Sequence, residues 1–569
     1  MKKKNKMNKI TSLITLILSV ILLILISMLN VIPTKYFIPI VIILLGINLV
    51  NVFLSFKKKL KKKGKITLVI LSVILSVLCL LGSIYIIRTI LFMGGNFKFK
   101  GYSTENYSVI VLNTSGYNKI DDLDEKNIGL LKNALDDKDK VKEHIDAKID
   151  SNLIDVNDAH SLKEKLYNKE VEAIVIEDSY IEILKEEDEE FENKTKVIYT
   201  FSLKYKVEDI SKDVNVTKDT FTIYIAGIDT YGAVSSVSRS DVNMLVTVNP
   251  KTHQVLLTSI PRDYYVQLHG TTGYKDKLTH AGIYGVDMSV QTLEDLLDIE
   301  INYYVRVNFT SVVKLVDALG GVDVYSEYDF NSNAGHEESW GYHFYKGYNH
   351  LNGEQALAFA RTRRAFVGGD RVRGQNQQAL IEALIRKAAS PAIITKYTSI
   401  LDSLEGSFET NLSMDDITKL AKHQIDKMPS WTVTSNSLDG SDGSEYTYSF
   451  SGQKLYVMIP TEDSINHAKE LFDKIYNGEI LESSYNGDAT NVKDPGNVSA
   501  KPSEPSTPTI DPNEESSTNE NNGSQSDNES DNTSSSGDDE LEQHIQDILG
   551  SGNNTSNDNN NSDEDETIE

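Results

Sequence analysis

The chain has 569 residues, with 57 Lys and Arg against 83 Asp and Glu and a formal net charge of -26. The charge is uneven, because residues 1–100 carry sixteen Lys or Arg and no acid, whereas residues 501–569 carry nineteen acids and one Lys. This distribution argues against a compact cytosolic enzyme and a nucleic-acid-binding body, and the single cysteine, Cys79, excludes an intrachain disulfide framework and a Cys-rich metal site.

Three apolar stretches open the chain, at about 10–30, 36–56 and 66–92. Each is long enough to cross a hydrocarbon core of ~30 Å as a helix, which takes roughly 20 residues. A cleaved signal peptide is the competing interpretation of the first stretch. It is weaker because no small-x-small cleavage pattern follows the stretch. The sequence therefore predicts a membrane anchor of three transmembrane helices within residues 1–100.

The lysines around these stretches predict the orientation of the anchor. Five lysines precede the first span and seven lie between the second and third, whereas the turn after the first span carries only Lys35. Positively charged loops stay in the cytoplasm. We therefore expect a multi-pass protein of the cell membrane with a cytoplasmic N-terminus and everything after about residue 93 outside the cell.

Apolar runs alternate with charged helical stretches between residues 101 and 214. We expect strands near 108–112, 172–176 and 196–201, and helices near 125–146 and 161–168. This alternation predicts a small extracytoplasmic α/β domain, and no Gly-rich phosphate loop accompanies it. We interpret it as an accessory domain.

Residues 215–484 alternate strands with helices, which predicts a three-layer α/β/α sandwich. Ser, Asn, Asp, Glu and Pro dominate from 485 to 569, a composition typical of a disordered acidic tail. The expected elements of the sandwich are strands at 221–228, 243–248, 254–259, 303–307 and 322–324, helices at 289–297, 311–319, 414–427 and 463–476, and a hairpin around 439–443.

Two carboxylates flank the first strands of this domain. Asp229 follows the strand at 221–228, and Asp241 precedes the next strand. One carboxylate at a strand end and one at a strand start can converge on one divalent cation, and Mg²⁺ prefers such oxygen ligands. The competing interpretation, that both residues only shape turns, stays open on spacing alone.

The strongest signal is a cluster of five arginines at 361, 363, 364, 371 and 373. Gly368 and Gly369 between them indicate a tight loop, and a long helix is expected at about 375–387. Arg262 adds a guanidinium directly after Pro261 at a strand end. A guanidinium matches phosphate oxygens in pairs, and a helix N-terminus adds amide dipoles. The block predicts binding of a pyrophosphate or several phosphates; a basic patch paired with local acids is the alternative.

Other residues of this region have structural interpretations. No nucleophile elbow or zinc spacing accompanies His280, which we expect behind the site or at a helix start. Tyr303, Tyr304 and the apolar helix at 312–319 are typical of a core, although they could equally line an apolar channel.

Together the motifs between Tyr224 and Gln378 resemble the LytR-CpsA-Psr family of cell-envelope glycopolymer transferases. No single motif would be specific, but the set is. The motifs are Gly-Ile-Asp-Thr at 227–230, Ser-Arg-Ser-Asp at 238–241, Ser-Ile-Pro-Arg-Asp at 259–263, Lys-Leu-Thr-His-Ala at 277–281, Tyr-Val-Arg-Val-Asn-Phe at 304–309, Val-Asp-Ala-Leu-Gly-Gly-Val at 316–322, Ala-Phe-Ala-Arg-Thr-Arg at 358–363 and Gly-Asp-Arg-Val-Arg-Gly-Gln at 369–375.

The resemblance implies transfer of a glycopolymer, such as teichoic acid or capsule, from an undecaprenyl-pyrophosphate carrier to peptidoglycan. It implies that Asp229 and Asp241 bind Mg²⁺, with Mn²⁺ as the alternative, and that Asp370 orients arginines or acts on a proton. Asp229, Asp241 and Asp370 all stay open as the general base. The resemblance further implies catalytic roles for Asp229, Asp241, Asp370, Arg361 and Arg363, and pyrophosphate binding by Arg239, Arg262, Arg361, Arg363, Arg371, Arg373 and Gln377.

Two alternatives to a transferase need nearly the same residues. The first is a non-catalytic envelope regulator that binds polyprenyl phosphate, and the second is a pyrophosphatase in which water replaces the acceptor. The presence of all the carboxylates and arginines favours catalysis. The composition loosely suits a Gram-positive bacterium, and the sequence does not specify which glycopolymer is transferred.

Overall fold

The computed structural model describes residues 2–57, 62–96, 102–131, 138–206, 209–228, 238–332, 341–366, 368–391, 400, 408–483 and 492–498. The tail predicted from 485 lies outside these residues, apart from 492–498. Asp229 also lies outside them.

The N-terminal part consists of three helices, α1 (Lys2–Leu29), α2 (Thr34–Phe56) and α3 (Lys62–Asn96). All three are long and apolar enough to cross a membrane, which confirms the predicted spans. Leucine and isoleucine side chains cover the outside of the bundle, and small polar side chains lie within it. The Asn48 amide donates to Ser19 Oγ over 2.9 Å, and the Asn51 amide donates to Ser72 Oγ over 2.8 Å. These hydrogen bonds join α2 to α1 and α2 to α3.

The accessory domain is built on a five-stranded sheet of order β3-β2-β4-β1-β5. Helix α4 packs on one face of the sheet, and α5 and α6 pack on the other. The elements are β1 (Tyr102–Leu112), β2 (Asn127–Leu131), α4 (Lys138–Asp146), β3 (Asn152–Val156), α5 (Ala159–Tyr167), β4 (Ala173–Glu177), α6 (Asp178–Glu187), α7 (Phe191–Lys194) and β5 (Thr195–Lys206).

The expected helix at 125–146 is wrong in its first part, because residues 127–131 form the strand β2. Strand β2 pairs in parallel with both β3 and β4, and this pairing buries its short apolar run between neighbours. Gly129 lies so close to α5 that an added Cβ would come within 2.7 Å of Leu162 Cδ1. Tertiary packing therefore overrides the local helical pattern.

The second sheet has six strands in the order β16-β11-β6-β7-β8-β17. Strands β6, β7 and β8 form an antiparallel meander, and β11 and β17 add in parallel to β6 and β8. The bounds are β6 (Phe221–Ile228), β7 (Val242–Asn249), β8 (Gln254–Ile260), β9 (Tyr265–Val266), β10 (Asp276–Lys277), α8 (Leu278–Ala281), α9 (Val286–Leu297), β11 (Tyr303–Asn308), α10 (Phe309–Leu319), β12 (Val322–Ser326), β13 (Phe330–Asn331), β14 (Gly341–Phe344), β15 (Gly347–Leu351), α11 (Gly353–Arg361), α12 (Asp370–Ala389), β16 (Phe408–Thr410), α13 (Met414–Lys427) and β17 (Thr432–Ser437).

Alternate residues of the central strands face two different helix layers. Tyr224, Leu245 and Leu256 point toward α9 and toward the helix at Glu462–Tyr476, whereas Met244 and Leu257 point toward α12. The predicted three-layer α/β/α sandwich is therefore confirmed. The remaining elements are the hairpin strands β18 (Gly440–Glu445) and β19 (Leu455–Pro460), the helix α14 (Glu462–Tyr476) and the strand β20 (Gly496–Val498), which pairs with β14.

Candidate active site

Helix α12 begins at Asp370, five residues before the helix start expected from the sequence. Gly369 precedes it with φ 47°, a backbone region that a side chain disfavours. Asp370, Arg371 and Arg373 therefore lie in the first turn rather than in a loop. The structure thus places these charged groups at the start of α12, where the Arg371 amide donates to Gly368 O over 3.0 Å and the Arg373 amide donates to Gly369 O over 3.2 Å.

The carboxylate side of the site is built from backbone hydrogen bonds between three segments. The Asp241 amide donates to Gly227 O over 2.8 Å, which ties this residue to the end of β6. The Ser240 amide donates to Thr279 O over 3.1 Å, and the Thr279 amide donates to Arg262 O over 2.8 Å. The backbone next to Asp241 and the backbone of Arg262 are therefore both hydrogen-bonded to Thr279 of α8.

Asp241, Arg262, Asp370 and Arg373 form a line of alternating charges. Arg262 Nη1 lies 3.0 Å from Asp241 Oδ1, and Arg262 Nε lies 4.0 Å from Asp370 Oδ1. Arg373 Nη2 lies 2.8 Å from the same Asp370 oxygen. We call these four residues the charge line. The structure thus brings together four of the predicted site residues.

Burial and neighbouring charges act differently on the two arginines of the charge line. Burial lowers the pKa of Arg262, but Asp241, Asp263 and Asp370 outweigh it and raise the pKa well above its usual range. Burial lowers the pKa of Arg373; Asp370 opposes this effect, and Arg262 is a like charge that adds to it. Nearby acids therefore balance the positive charge of Arg373 only in part, and an anion near it would be stabilised.

Three other predicted arginines lie around this line. Arg361 is exposed at the end of α11, and its guanidinium carbon lies 4.0 Å from the centre of the Phe309 ring. Arg363 is also exposed, and it is close enough to Arg373 to lower the pKa of that guanidinium. Arg239 is half-buried in the segment that leads to Asp241. The cation–π contact with Phe309 orients the Arg361 guanidinium.

Two predicted phosphate-binding residues have other partners. Arg371 turns to the hairpin, where its Nε donates to Asp439 Oδ1 over 2.7 Å and its Nη2 donates to Gly440 O over 2.7 Å. The Gln377 amide donates to Ala360 O over 3.3 Å and links α12 to α11. Pyrophosphate binding by both residues stays a prediction.

The predicted metal site has only one of its two carboxylates among the described residues, which is Asp241. Within these residues no group of three or more His, Cys, Asp or Glu is arranged to hold a metal ion. The donors that do meet are hard oxygens, since Thr279 Oγ1 lies 3.4 Å from Asp241 Oδ1. Ser238 Oγ, three residues before Asp241 in the chain, is buried without a hydrogen-bond partner in the described part of the chain. Carboxylate and hydroxyl oxygens are ligands that Mg²⁺ prefers, and a metal site at Asp229 and Asp241 stays a prediction.

Sequence reasoning assigned no role to three residues that support the site. Lys277 is almost fully buried, and its Nζ lies 3.3 Å from Asp263 Oδ1. Thr279 contacts Asp241, as described above. A signal was present, because Asp263 belongs to the Ser-Ile-Pro-Arg-Asp motif and Lys277 and Thr279 belong to Lys-Leu-Thr-His-Ala. His280 itself is fully buried in α8, behind the site.

Comparisons with known proteins show which family the chain resembles. The LytR_cpsA_psr family model matches residues 181–466. A relative from Bacillus mycoides (strain KBAB4), named polyisoprenyl-teichoic acid–peptidoglycan teichoic acid transferase TagU, is 37% identical over 231 residues, which are 40% of this chain and 73% of the relative. The TagU of Bacillus cereus (strain AH820) is 39% identical over 220 residues, which are 38% of this chain and 68% of the relative. The crystal structure of B. subtilis TagV is similar at 30% identity and a TM-score of 0.38, over 46% of this chain and 99% of that one. The family match and the two relatives confirm the resemblance, and the chain belongs to the LytR_cpsA_psr family.

Proposed function

We propose that this chain transfers a teichoic acid or similar wall glycopolymer from a polyprenyl-pyrophosphate carrier to peptidoglycan. The observation that carries the proposal is the charge line, in which Arg262 and Arg373 lie on either side of Asp370. Guanidinium groups held this way suit the oxygens of a pyrophosphate. The names of the two TagU relatives support a polyisoprenyl-linked donor and a peptidoglycan acceptor.

The reaction in this proposal is phosphoryl transfer. A sugar hydroxyl of peptidoglycan attacks the phosphorus that carries the glycopolymer, a new P–O bond forms, and the bond to the bridging oxygen breaks so that polyprenyl monophosphate leaves. Such reactions depend on positioning and on neutralising the phosphate oxygens. Arg262, Arg361, Arg363 and Arg373 would supply this neutralisation.

Asp370 orients the arginines in this mechanism. Arg373 Nη2 lies 2.8 Å from one of its oxygens and 3.1 Å from the other. A carboxylate already engaged by a guanidinium is a poor acceptor for a substrate proton. Asp241 is engaged by Arg262 in the same way, so neither of these two carboxylates is favoured as the acceptor of the hydroxyl proton.

We propose Asp229 and Asp241 as the carboxylates that hold Mg²⁺, for which Mn²⁺ is an alternative. When bound, the ion supplies positive charge against the phosphate oxygens. The oxygen donors around Asp241 support this assignment.

We further propose that the catalytic domain lies outside the cell, next to the membrane that holds the donor lipid. The lysine distribution supports this orientation. Lys35, in the first turn of α2, forms an ion pair with Asp426 of α13, with Nζ 3.0 Å from Oδ1. Lys422 Nζ of the same helix donates to Asn30 Oδ1 over 2.8 Å. These two contacts support a catalytic domain on the same side of the anchor as the turn between α1 and α2.

The test uses the full chain in detergent, with a lipid-pyrophosphate-linked saccharide, Mg²⁺ and peptidoglycan fragments. We expect saccharide joined covalently to the acceptor and released lipid monophosphate, with at least a hundredfold lower rate for Arg361→Ala and Asp241→Ala. Arg386→Lys is the matched control, since it lies on α12 about 20 Å from the first turn. Phosphate release without coupling would indicate a pyrophosphatase. Tight lipid binding without turnover would indicate a regulator.

A further inference from the structure

The turn between β18 and β19 connects the accessory domain to the catalytic domain. Phe450, in this turn, is fully buried and packs among the accessory residues Leu162 and Leu184. The His160 ring of α5 meets the Phe450 ring edge-on at 5.5 Å between centroids. Gly452 lies so close to His160 that an added Cβ would overlap the imidazole. The accessory domain therefore fixes the position of this turn.

The same turn is bound to a buried carboxylate of the catalytic domain. Asp276 is fully buried and accepts three hydrogen bonds: from the Ser449 amide over 2.8 Å, from the Lys277 amide over 2.8 Å and from His280 Nδ1 over 2.7 Å. His280 Nδ1 also lies 2.8 Å from Ser449 Oγ. Nδ1 faces a carboxylate oxygen, which accepts hydrogen bonds, so we assign the imidazole proton to Nδ1. Asp276, His280 and Ser449 thus form a lock between the turn and the segment 276–281.

The segment that this lock holds is the one that supports the charge line. Thr279, next to His280, donates its amide to Arg262 O and accepts the Ser240 amide at its own carbonyl. Its hydroxyl lies 3.4 Å from Asp241 Oδ1. A displacement of His280 would therefore move the backbone that carries Arg262 and Asp241.

We propose that His280 is a positioning residue for the phosphate site, and that the accessory domain fixes its position through the turn that carries Ser449 and Phe450. The proposal rests on the proposed transferase function. His280 is fully buried and cannot touch substrate, so it acts through Thr279. A misplacement of about 1 Å in catalytic groups can cost a hundredfold in rate. The accessory domain thus has a role in catalysis without contributing a residue to the phosphate site.

The test compares three variants of the full chain in detergent. His280→Ala removes the Nδ1 donor, whereas His280→Asn keeps an N–H donor at nearly the same place. Val141→Ala is the control for a buried truncation, because Val141 packs on the other face of the accessory sheet, away from the turn. We expect a tenfold to hundredfold lower kcat for His280→Ala with KM for the donor within threefold, and near wild-type kcat for His280→Asn and Val141→Ala.

Hydrogen exchange of the peptide covering 238–243 gives a readout that does not depend on transfer. We expect faster exchange of the Ser240 amide in His280→Ala than in the wild-type chain, and no change in Val141→Ala. If the wild-type chain shows no transfer, the proposed function fails and hydrogen exchange alone decides the positioning role. The proposal would be overturned by unchanged hydrogen exchange of the Ser240 amide in His280→Ala. It would also be overturned by a kcat of His280→Asn as low as that of His280→Ala.

Discussion

Arg262 Nη1 lies 3.0 Å from Asp241 Oδ1, so a residue expected to bind phosphate is paired with one expected to bind the metal. The Asp241 carboxylate and the Arg262 guanidinium are thus bound to each other. A cation at Asp241 would compete with Arg262 for the carboxylate. We therefore expect binding of a cation at Asp241 and binding of phosphate at Arg262 to favour each other.

This coupling predicts that Mg²⁺ raises the affinity of the chain for inorganic pyrophosphate at least tenfold, equivalent to about 1.4 kcal/mol. In Asp241→Asn, the Mg²⁺ effect should fall below threefold, because the amide neither holds the cation nor pairs as strongly with Arg262. Calorimetric titrations at several Mg²⁺ concentrations, corrected for the magnesium–pyrophosphate complex, measure it. An equal Mg²⁺ dependence in both proteins would contradict the coupling.

A second prediction separates two arginines of the same helix turn. Arg373 is 12% exposed and pairs with Asp370, whereas Arg371 is 39% exposed and pairs with Asp439 on the hairpin. We expect Arg373→Ala to lower the transfer rate at least a hundredfold and Arg371→Ala to lower it less than tenfold. A surface pair such as Arg371–Asp439 contributes about 0–1 kcal/mol to stability. Equal losses in the steady-state transfer rate would indicate that both arginines contact the substrate, against this prediction.

A third prediction concerns the close approach of Gly282 to the motif before Asp241. An added Cβ would lie 2.6 Å from Ser238 O and 2.9 Å from the Ser240 amide nitrogen, and backbone atoms cannot rotate away. Gly282→Ala should therefore shift this segment, lower the free energy of unfolding by about 1–3 kcal/mol and reduce transfer more than tenfold. Gly116→Ala is the control, because an added Cβ there meets nothing within 4 Å. Thermal unfolding and transfer rates of the two variants give the comparison.

A fourth prediction is a pH dependence of the accessory domain. Burial raises the pKa of Glu177 well above its usual range, and the nearby carboxylates of Glu105 and Asp178 raise it further, while a hydrogen bond from Ser179 acts in the opposite direction. A carboxyl group with a raised folded-state pKa binds its proton more tightly when folded. Its stabilising effect is therefore complete below the unfolded pKa of about 4.3 and is lost as the pH rises through the folded pKa.

Glu177→Gln should remove this dependence, because the amide stays neutral and still accepts the hydrogen bond from Ser179. We expect amides of β1 and β4 to exchange more slowly in Glu177→Gln than in the wild-type chain at pH 7, with the difference shrinking toward pH 5. Hydrogen exchange of the full chain at both pH values measures it. Glu164→Gln on the exposed face of α5 serves as the control, and a difference that grows toward low pH would contradict the sign.

Four strands of the central sheet, β6, β7, β8 and β11, could be predicted from the sequence, but β16, β17 and the start of α12 could not. Strands such as β6 and β8 are apolar runs between turn residues, and this local pattern is typical of a strand. Gly374 made the first turn of α12 look like loop, since glycine disfavours helices. In the structure Gly374 lies within the helix and packs closely on β8, where an added Cβ would lie 3.1 Å from Ser259 Oγ.

The arginine cluster was predictable as a set, but the direction of each side chain was not. Once α12 begins at Asp370, positions 371 and 373 are separated by about 200° around the helix and face opposite sides. This places Arg373 beside Asp370 and turns Arg371 toward Asp439. The support from Lys277 and Thr279 depends on contacts between distant segments, which spacing along the chain does not encode.

The polar interior of the anchor has a consequence for biosynthesis. Thr15 of α1 and Asn51 of α2 both have partners in α3, since Thr15 Oγ1 donates to Ser72 O over 3.1 Å and Asn51 bonds to the Ser72 hydroxyl. Polar groups left without partners in a bilayer are costly. The Asn51 amide therefore lacks its Ser72 partner until α3 has left the ribosome, and the anchor is completed as one unit before any catalytic strand is synthesised.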